Sequence, residues 1–204
     1  SMLIILLAVA AYGAVHSLMA AFKAKALAEQ LFGTAAVRGY RLFFNIFAGI
    51  TLVPVLALPA ILPDQHLYTI PLPWMILFLA GQGLAVIAEI IGVLQTGALE
   101  FLGLRQLITP PADNGELTIR GLYHWVRHPL YSAGLLFIWL TPLMTLNILA
   151  LNIGLTLYII IGTRFEERRL CVEFGDAYAA YQEEVPMLVP RIRLGEYKSD
   201  QGKQ

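Results

Sequence analysis

The sequence predicts an all-α membrane protein: a polytopic bundle of five transmembrane helices, the last two forming a short hairpin, followed by a cytoplasmic C-terminal helix. Of the 204 residues, 58% are hydrophobic and only 14% are charged, whereas ordinary soluble domains carry about 25% charged residues. Three apolar runs also reach the roughly 20 residues that a helix needs to cross the hydrocarbon core of a bilayer. The composition therefore argues against a soluble globular protein.

The charge balance and the single cysteine exclude further classes of protein. Lys plus Arg and Asp plus Glu both number 14, so the formal net charge is zero, and a nucleic-acid partner is not expected without a basic excess. Cys171 cannot form an internal disulfide, and the four scattered histidines add no metal-ligand spacing. No metal site is predicted. The first apolar run lacks the features of a cleaved signal peptide, so we expect it in the mature protein.

The first three membrane helices are predicted from uninterrupted apolar runs at residues 3–21, 42–62 and 74–96. Pro54 and Pro59 lie within the second run and should kink it near its far end. We expect the Ala-rich segment between the first two runs to form an interfacial helix.

The fourth apolar run, residues 130–162, would form a rod of about 50 Å as a single helix. Either one long helix or a tight hairpin broken near Thr141–Pro142 or Asn147 fits this length. Every Lys and Arg lies in one of three segments: between the first and second runs, between the third and fourth runs, or after the fourth run. Under the positive-inside rule, all three basic regions are cytoplasmic only if the fourth run crosses twice. The sequence thus predicts an inner (cytoplasmic) membrane protein with its N-terminus outside.

A cluster of polar and aromatic residues occupies positions 121–131, where the predicted cytoplasmic loop after the third apolar run enters the fourth helix. Pro129 suits the first turn of a helix, so Arg127 and His128 should lie beside free amide donors at its positively polarised end. Such a place binds an anion or a carboxylate. The alternative is that Arg127 extends to lipid headgroups and His128 caps the helix.

A second charged cluster, at positions 164–169, follows the last apolar run. Self-paired surface salt bridges along one helix face are the simplest interpretation. The hairpin, however, should bring Glu166 and Glu167 to the same membrane depth as Arg127 and His128. Donors, acceptors and aromatic rings would then form a pocket for a small zwitterionic ligand that faces the cytoplasm.

These two clusters together resemble the isoprenylcysteine carboxyl methyltransferase family of integral membrane enzymes, to which the phospholipid methyltransferases are related. The matching positions are Arg127-His128-Pro129-x-Tyr131 and, further on, Glu166, Glu167, Leu170, Phe174, Gly175, Tyr178, Tyr181, Val185, Pro186 and Pro190. The resemblance implies that the protein uses S-adenosylmethionine without a Rossmann domain. One position departs from the pattern, because Ala133 stands where the family usually has glycine.

The resemblance also implies roles for individual residues. Arg127 or His128 would bind the cofactor carboxylate, and Glu166 or Glu167 would bind its ammonium group or ribose diol. Tyrosines would contact the adenine or the sulfonium. The cofactor-binding residues are accordingly Tyr123, Arg127, His128, Tyr131, Glu166, Glu167 and Tyr178, and the catalytic residues are Arg127, Glu167 and Arg191. Arg191 would hold an anionic acceptor or a lipid headgroup.

The N-terminal half supplies candidates for the acceptor side. His16, Arg41 and Asn45 form a polar layer at the predicted depth of the site, and this part resembles bacterial relatives of the family that include small-thiol methyltransferases. His16 bonded to a neighbouring carbonyl is the structural alternative. Glu89 should face the bundle, protonated or paired with His16 or Asn45. A purely structural bond between helices is equally compatible with its position.

The predicted function is an S-adenosylmethionine-dependent methyltransferase that takes a carboxylate or thiol acceptor, small or lipid-linked, from the membrane or its cytoplasmic interface. A phospholipid N-methyltransferase and a non-catalytic membrane subunit or transporter remain alternatives. We expect one membrane domain over residues 1–204: three acceptor-side helices in 1–96, the cofactor-binding loop, hairpin and C-terminal helix in 97–190, and a flexible tail in 191–204.

Overall fold

The structure, a computed structural model, describes residues 1–109 and 117–191. The predicted tail therefore lies outside the described residues except for Arg191. The helices are α1 (Met2–Ala20), α2 (Phe22–Phe32), α3 (Thr34–Ile61), α4 (Trp74–Gln95), α5 (Ala98–Leu102), α6 (Arg105–Ile108), α7 (Pro129–Trp139), α8 (Leu146–Phe174) and α9 (Asp176–Glu184). Two strands, β1 (His66–Thr69) and β2 (Leu143–Thr145), and a 3-10 turn (Gly121–His124) complete the described elements.

Four of these helices, α1, α3, α4 and α8, are long and apolar enough to cross a membrane, and α7 is a shorter apolar helix. The three N-terminal spans were placed correctly by their apolar runs. The helix α3 nevertheless begins well before residue 42, because helical structure extends back through the Ala-rich segment to Thr34. The separate helix α2 occupies the rest of the predicted interfacial segment.

The last apolar run is broken where the sequence indicated, between Trp139 and Leu146, but the prediction of two short arms is wrong. Only α7 is short: its 11 residues give a rod of about 16 Å. The 29 residues of α8 give about 43 Å, because the helix continues past the apolar run until Gly175, whose φ of 53° ends it.

A two-stranded antiparallel sheet, which the sequence did not predict, joins the loop after α3 to the turn between α7 and α8. His66 pairs with Thr145, and Thr69 pairs with Leu143. Beside the sheet, the Asn147 side chain donates to the carbonyls of Leu62 and Pro63 at 3.3 and 3.2 Å. Both connections therefore lie at one end of the bundle, which we call the sheet end.

The long helices pack through small residues. A Cβ on Gly13 of α1 would lie 2.7 Å from the ring of Tyr158, and one on Gly154 of α8 would lie 3.2 Å from Val9. Further along, Arg169 donates to the carbonyl of Ala20 at 2.8 Å. In these three contacts the residue number on α8 rises with the residue number on α1, so the two helices run parallel. Their backbones also approach closely.

The helices α4 and α7 instead run antiparallel. A Cβ on Gly92 would meet Leu130 at 2.8 Å, whereas one on Gly81 would meet Leu140 at 2.5 Å. The N-terminus of α7 thus lies near the C-terminus of α4, at the opposite end from the sheet. We call this the site end.

Candidate active site

A buried carboxylate, that of Glu167 on α8, is the centre of the polar cluster at the site end. Its Oε1 accepts from Arg127 Nε at 2.7 Å and lies 3.2 Å from His128 Nε2, and its Oε2 accepts from Gln182 Nε2 at 3.1 Å. These four residues come from the approach to α7, from α8 and from α9. We call them the Glu167 clamp.

The same cluster holds the segment after α9 against the start of α7. The backbone amides of Arg127 and His128 donate to the carbonyls of Pro186 and Met187 at 2.9 and 3.1 Å. The Arg127 guanidinium also donates to the carbonyls of Gln182 and Val185. Tail carbonyls thus occupy the amides of Arg127 and His128 themselves, and the anion beside this helix end is the Glu167 carboxylate.

The clamp is nearly closed to solvent. The side chains of Arg127 and Glu167 are 9% and 12% exposed. Burial lowers the pKa of His128, and this effect outweighs the opposing influence of Glu166 and Glu167. The imidazole is therefore neutral near pH 7, and its contact with Glu167 is a hydrogen bond rather than an ion pair.

The tail tyrosines form a packed group beneath the clamp. Tyr178 is 1% exposed, and its hydroxyl is buried without a hydrogen-bond partner. The Tyr181 hydroxyl donates to the carbonyl of Tyr123 in the 3-10 turn. Burial raises the pKa of Tyr181 to about 12 and also raises the pKa values of Tyr123 and Tyr178, so all three are neutral. The structure thus encloses Tyr178 within the tail instead of exposing its ring at a surface.

Glu166, the neighbour of Glu167, is the more accessible carboxylate, with a side chain 32% exposed. Its Oε2 accepts from the Tyr131 hydroxyl at 2.8 Å. The ring of Tyr131 stacks on that of His128, with centroids 5.6 Å apart and planes 16° from parallel. Among the described residues no donor meets its Oε1, which leaves an anionic oxygen beside a neutral imidazole and a phenol.

Three of the predicted acceptor-side residues lie in two different places: Arg41 and Asn45 contact α5, and His16 lies among aromatic rings. Asn45 and Arg41 donate to the carbonyl of Phe101 at 2.9 and 3.3 Å, which holds α5 against α3. Gly103 permits this contact, because its φ is 85° and a Cβ there would lie 2.5 Å from the amide nitrogen of Leu42. His16 instead lies among aromatic rings, and its buried Nδ1 has no partner, so the expected bond from this atom to a carbonyl is not present.

Glu89 does not pair with His16 or Asn45, so the pairing alternative of the prediction is wrong. Its Oε1 points towards α7, where a Cβ on Gly134 would lie 3.4 Å away. Gln82 lies on the same side of α4 and donates to the carbonyl of Phe137 at 3.0 Å. The helix α4 packs on α7 rather than on α1, so this face cannot reach the helices that carry the expected partners.

Two further polar residues of the site were missed by the sequence analysis. Gln182 bonds Glu167, and Ser132 donates to the carbonyl of Leu188 at 2.6 Å. Neither residue type marks a site by itself, although Gln182 lies one turn after Tyr178 in the tail helix. Arg191 is exposed at the end of the described chain and makes no contact with the clamp.

The four clamp residues, together with Tyr131 and Glu166, lie within a region matched by a known family. The family profile described as "Protein of unknown function (DUF1295)" matches residues 24–185. A methanethiol S-methyltransferase from Pseudomonas deceptionensis is 37% identical over 122 residues, which are 57% of this chain and 45% of that protein. The corresponding enzyme from Mycobacterium tuberculosis is 40% identical over 95 residues, covering 45% of this chain and 39% of that protein.

A third relative, methanethiol S-methyltransferase 2 from Bradyrhizobium diazoefficiens, is 49% identical over 71 residues, or 35% of this chain and 27% of that protein. The chain thus spans less than half the length of these curated relatives. No solved structure matches the chain at a significant level.

The clamp predicts a large loss of stability when its cation alone is removed. Replacement of Arg127 by alanine leaves the buried Glu167 charge without its main partner, which costs about 3 to 5 kcal/mol. Thermal unfolding in detergent should show a midpoint lower by roughly 10 °C. Arg105→Ala is the matched control, because the Arg105–Glu100 pair is solvent-exposed, with side chains 60% and 38% accessible. An equal shift in both variants would contradict the clamp.

Proposed function

The chain belongs to the DUF1295 family, and from this premise we propose that it is an S-adenosylmethionine-dependent membrane methyltransferase that methylates a small thiol. The relatives that match it are named methanethiol S-methyltransferases. The observation that carries the proposal is the partly exposed Glu166 carboxylate, which lies beside His128 and Tyr131 while the neighbouring Glu167 is bound by the clamp.

The residues around Glu166 fit the chemistry of this cofactor. When bound, S-adenosylmethionine supplies an activated methyl group on a sulfonium cation, together with an ammonium, a carboxylate and a ribose. The free Oε1 of Glu166 suits the ammonium or the ribose diol, and the exposed face of Tyr131 suits a cation or an adenine ring.

Arg127 and Glu167 have a different role in this proposal. Because they bind each other and the tail carbonyls, we assign to them the positioning of His128 and of the tail rather than a contact with the acceptor. Methyl transfer is an in-line displacement, so correct alignment and exclusion of water are the main tasks of the protein. The contribution of Arg191 stays a prediction.

The proposal places the site at the cytoplasmic face of the inner membrane, with five crossings and the N-terminus outside. Parallel packing of α1 and α8 is what five alternating crossings require. The loops of the sheet end contain no Lys or Arg, whereas the described Lys and Arg residues lie in the segments of the site end, as the positive-inside rule demands. The helix α7 is shorter than a usual span, so the bilayer must thin beside it.

Cysteine accessibility tests this orientation. In a Cys171→Ser background, Gln65→Cys at the sheet end should react with a membrane-impermeant maleimide added to intact cells. Glu29→Cys on α2 should react only after permeabilisation, because the exposed Glu29 lies at the site end. The opposite pattern would place the site outside the cell.

The cofactor assignment predicts that Glu166→Gln weakens binding without unfolding the protein. Loss of a hydrogen bond to a charged group costs about 1.5 to 3 kcal/mol, or roughly 10- to 150-fold in affinity. Calorimetric titration of detergent-purified protein with S-adenosylhomocysteine measures this change. Glu173→Gln, an exposed carboxylate further along α8, is the matched control and should bind as the unmodified protein does. Equal affinity in both variants would remove Glu166 from the site.

The acceptor class is tested with the purified protein and radiolabelled S-adenosylmethionine. We expect methylation of methanethiol and ethanethiol, and none of a prenylcysteine carboxylate or of phosphatidylethanolamine. Methylation of a lipid acceptor alone would assign the chain to one of the alternative activities. Binding of neither S-adenosylmethionine nor S-adenosylhomocysteine by folded protein would support a non-catalytic role.

A further inference from the structure

An aromatic box surrounds His16 between three of the long helices. Its members are Tyr12 and His16 from α1, Phe44 from α3 and Tyr158 from α8. The His16 ring centroid lies 4.6 Å from that of Phe44, 5.6 Å from that of Tyr12 and 5.9 Å from that of Tyr158. All four side chains are half-buried rather than fully enclosed.

Besides the hydroxyls of Tyr12 and Tyr158, the box contains one buried polar atom that the protein leaves unsatisfied. His16 Nδ1 is buried and has no hydrogen-bond partner. A buried polar atom without a partner is unfavourable and uncommon in native structures. Aromatic rings around this buried, unpaired nitrogen match a ligand that is small, largely apolar and able to share one proton, as an alkyl thiol is.

The box lies at nearly the depth of Glu166. On α1, His16 falls between Gly13, which faces Tyr158, and Ala20, which bonds Arg169. Glu166 lies within the same stretch of α8, between Tyr158 and Arg169. Tyr158 is also within electrostatic reach of Tyr12, Tyr131 and Glu166, so it links the box to the proposed cofactor site.

We propose that this box is the acceptor subsite and that His16 Nδ1 takes the proton of the thiol, an inference that rests on the function proposed above. The titratable groups that face His16 are Tyr12 from its own helix and Tyr158 from α8, and α3 contributes the apolar Phe44. Neither phenol is a base near neutral pH. His16 is therefore the proton acceptor among the residues of the box.

In the proposed reaction, an alkyl thiol is first deprotonated and then methylated. The S–H proton moves to His16 Nδ1, and the thiolate, which is the nucleophilic form of a thiol, attacks the methyl carbon. A new carbon–sulfur bond forms to give the thioether as the carbon–sulfonium bond breaks, and neutral S-adenosylhomocysteine leaves. The imidazolium then releases its proton to water.

The test compares His16→Gln with the unmodified enzyme for two thiols of similar size, ethanethiol and the more acidic 2,2,2-trifluoroethanethiol. At pH 7 the variant should lose about 10²- to 10⁴-fold in kcat/KM for ethanethiol. The loss should be much smaller for the fluorinated thiol, which ionises without help, and should shrink for both thiols as the pH rises. The affinity for S-adenosylhomocysteine should not change.

A second readout does not depend on turnover: calorimetric titration of the S-adenosylhomocysteine complex with ethanethiol should show weaker binding to His16→Gln. His66→Gln is the matched control, because the exposed His66 lies at the sheet end and its side chain bonds only Thr69. Unchanged turnover in His16→Gln, or an equal loss for both thiols at every pH, would overturn the inference. An unmodified protein that methylates no thiol would instead refute the proposed function.

Discussion

Burial of the Glu167 carboxylate is the constraint on which the site end depends. A charge that is 12% exposed is tolerated only when donors replace the water it has lost. Those donors come from positions 127, 128 and 182, which are far apart in the sequence. The start of α7, the end of α8 and the tail helix must therefore meet at one carboxylate, and the tail segment then covers the amides before α7.

This requirement also explains why α7 is so short. Its N-terminus must lie at the level of Glu167, and Leu130 accordingly packs against Gly92 near the end of α4. Its C-terminus is held equally firmly, since Asn152 of α8 donates to the carbonyl of Ile138 at 2.8 Å. The strand β2 then pairs with β1 in the loop after α3. Hydrogen bonds of the sheet therefore take the place of helical hydrogen bonds between α7 and α8.

The sequence predicted the parts of this fold that depend on the composition of one segment. Apolar length located the long helices, and the spacing of Arg127, His128, Glu166 and Glu167 located the cluster. The sheet was missed because its seven residues pair two distant loops, so neither loop has a strand pattern strong enough to identify alone. The expected partners of Glu89 were wrong because the sequence does not show which long helices are neighbours.

Two adjacent carboxylates acquire different roles from their surroundings. Consecutive residues of a helix point about 100° apart, so Glu167 faces the tail, whereas Glu166 faces Tyr131 and the side of Tyr158. The first is closed by protein donors, and the second retains an open oxygen. Environment, not residue type, thus distinguishes the structural carboxylate from the one proposed to bind a ligand.

The helix α8 carries groups that serve every part of the proposed reaction. Tyr158 belongs to the aromatic box, Glu166 faces the proposed cofactor site and Glu167 anchors the tail, all on one continuous helix. The close contact at Gly13 fixes α1, and therefore His16, at a set distance from that helix. In-line transfer requires donor and acceptor to be held within about 0.5 Å of the reactive geometry. The helix α8 is held by the clamp on one side and by α1 on the other. It therefore meets that requirement better than any loop in the described chain.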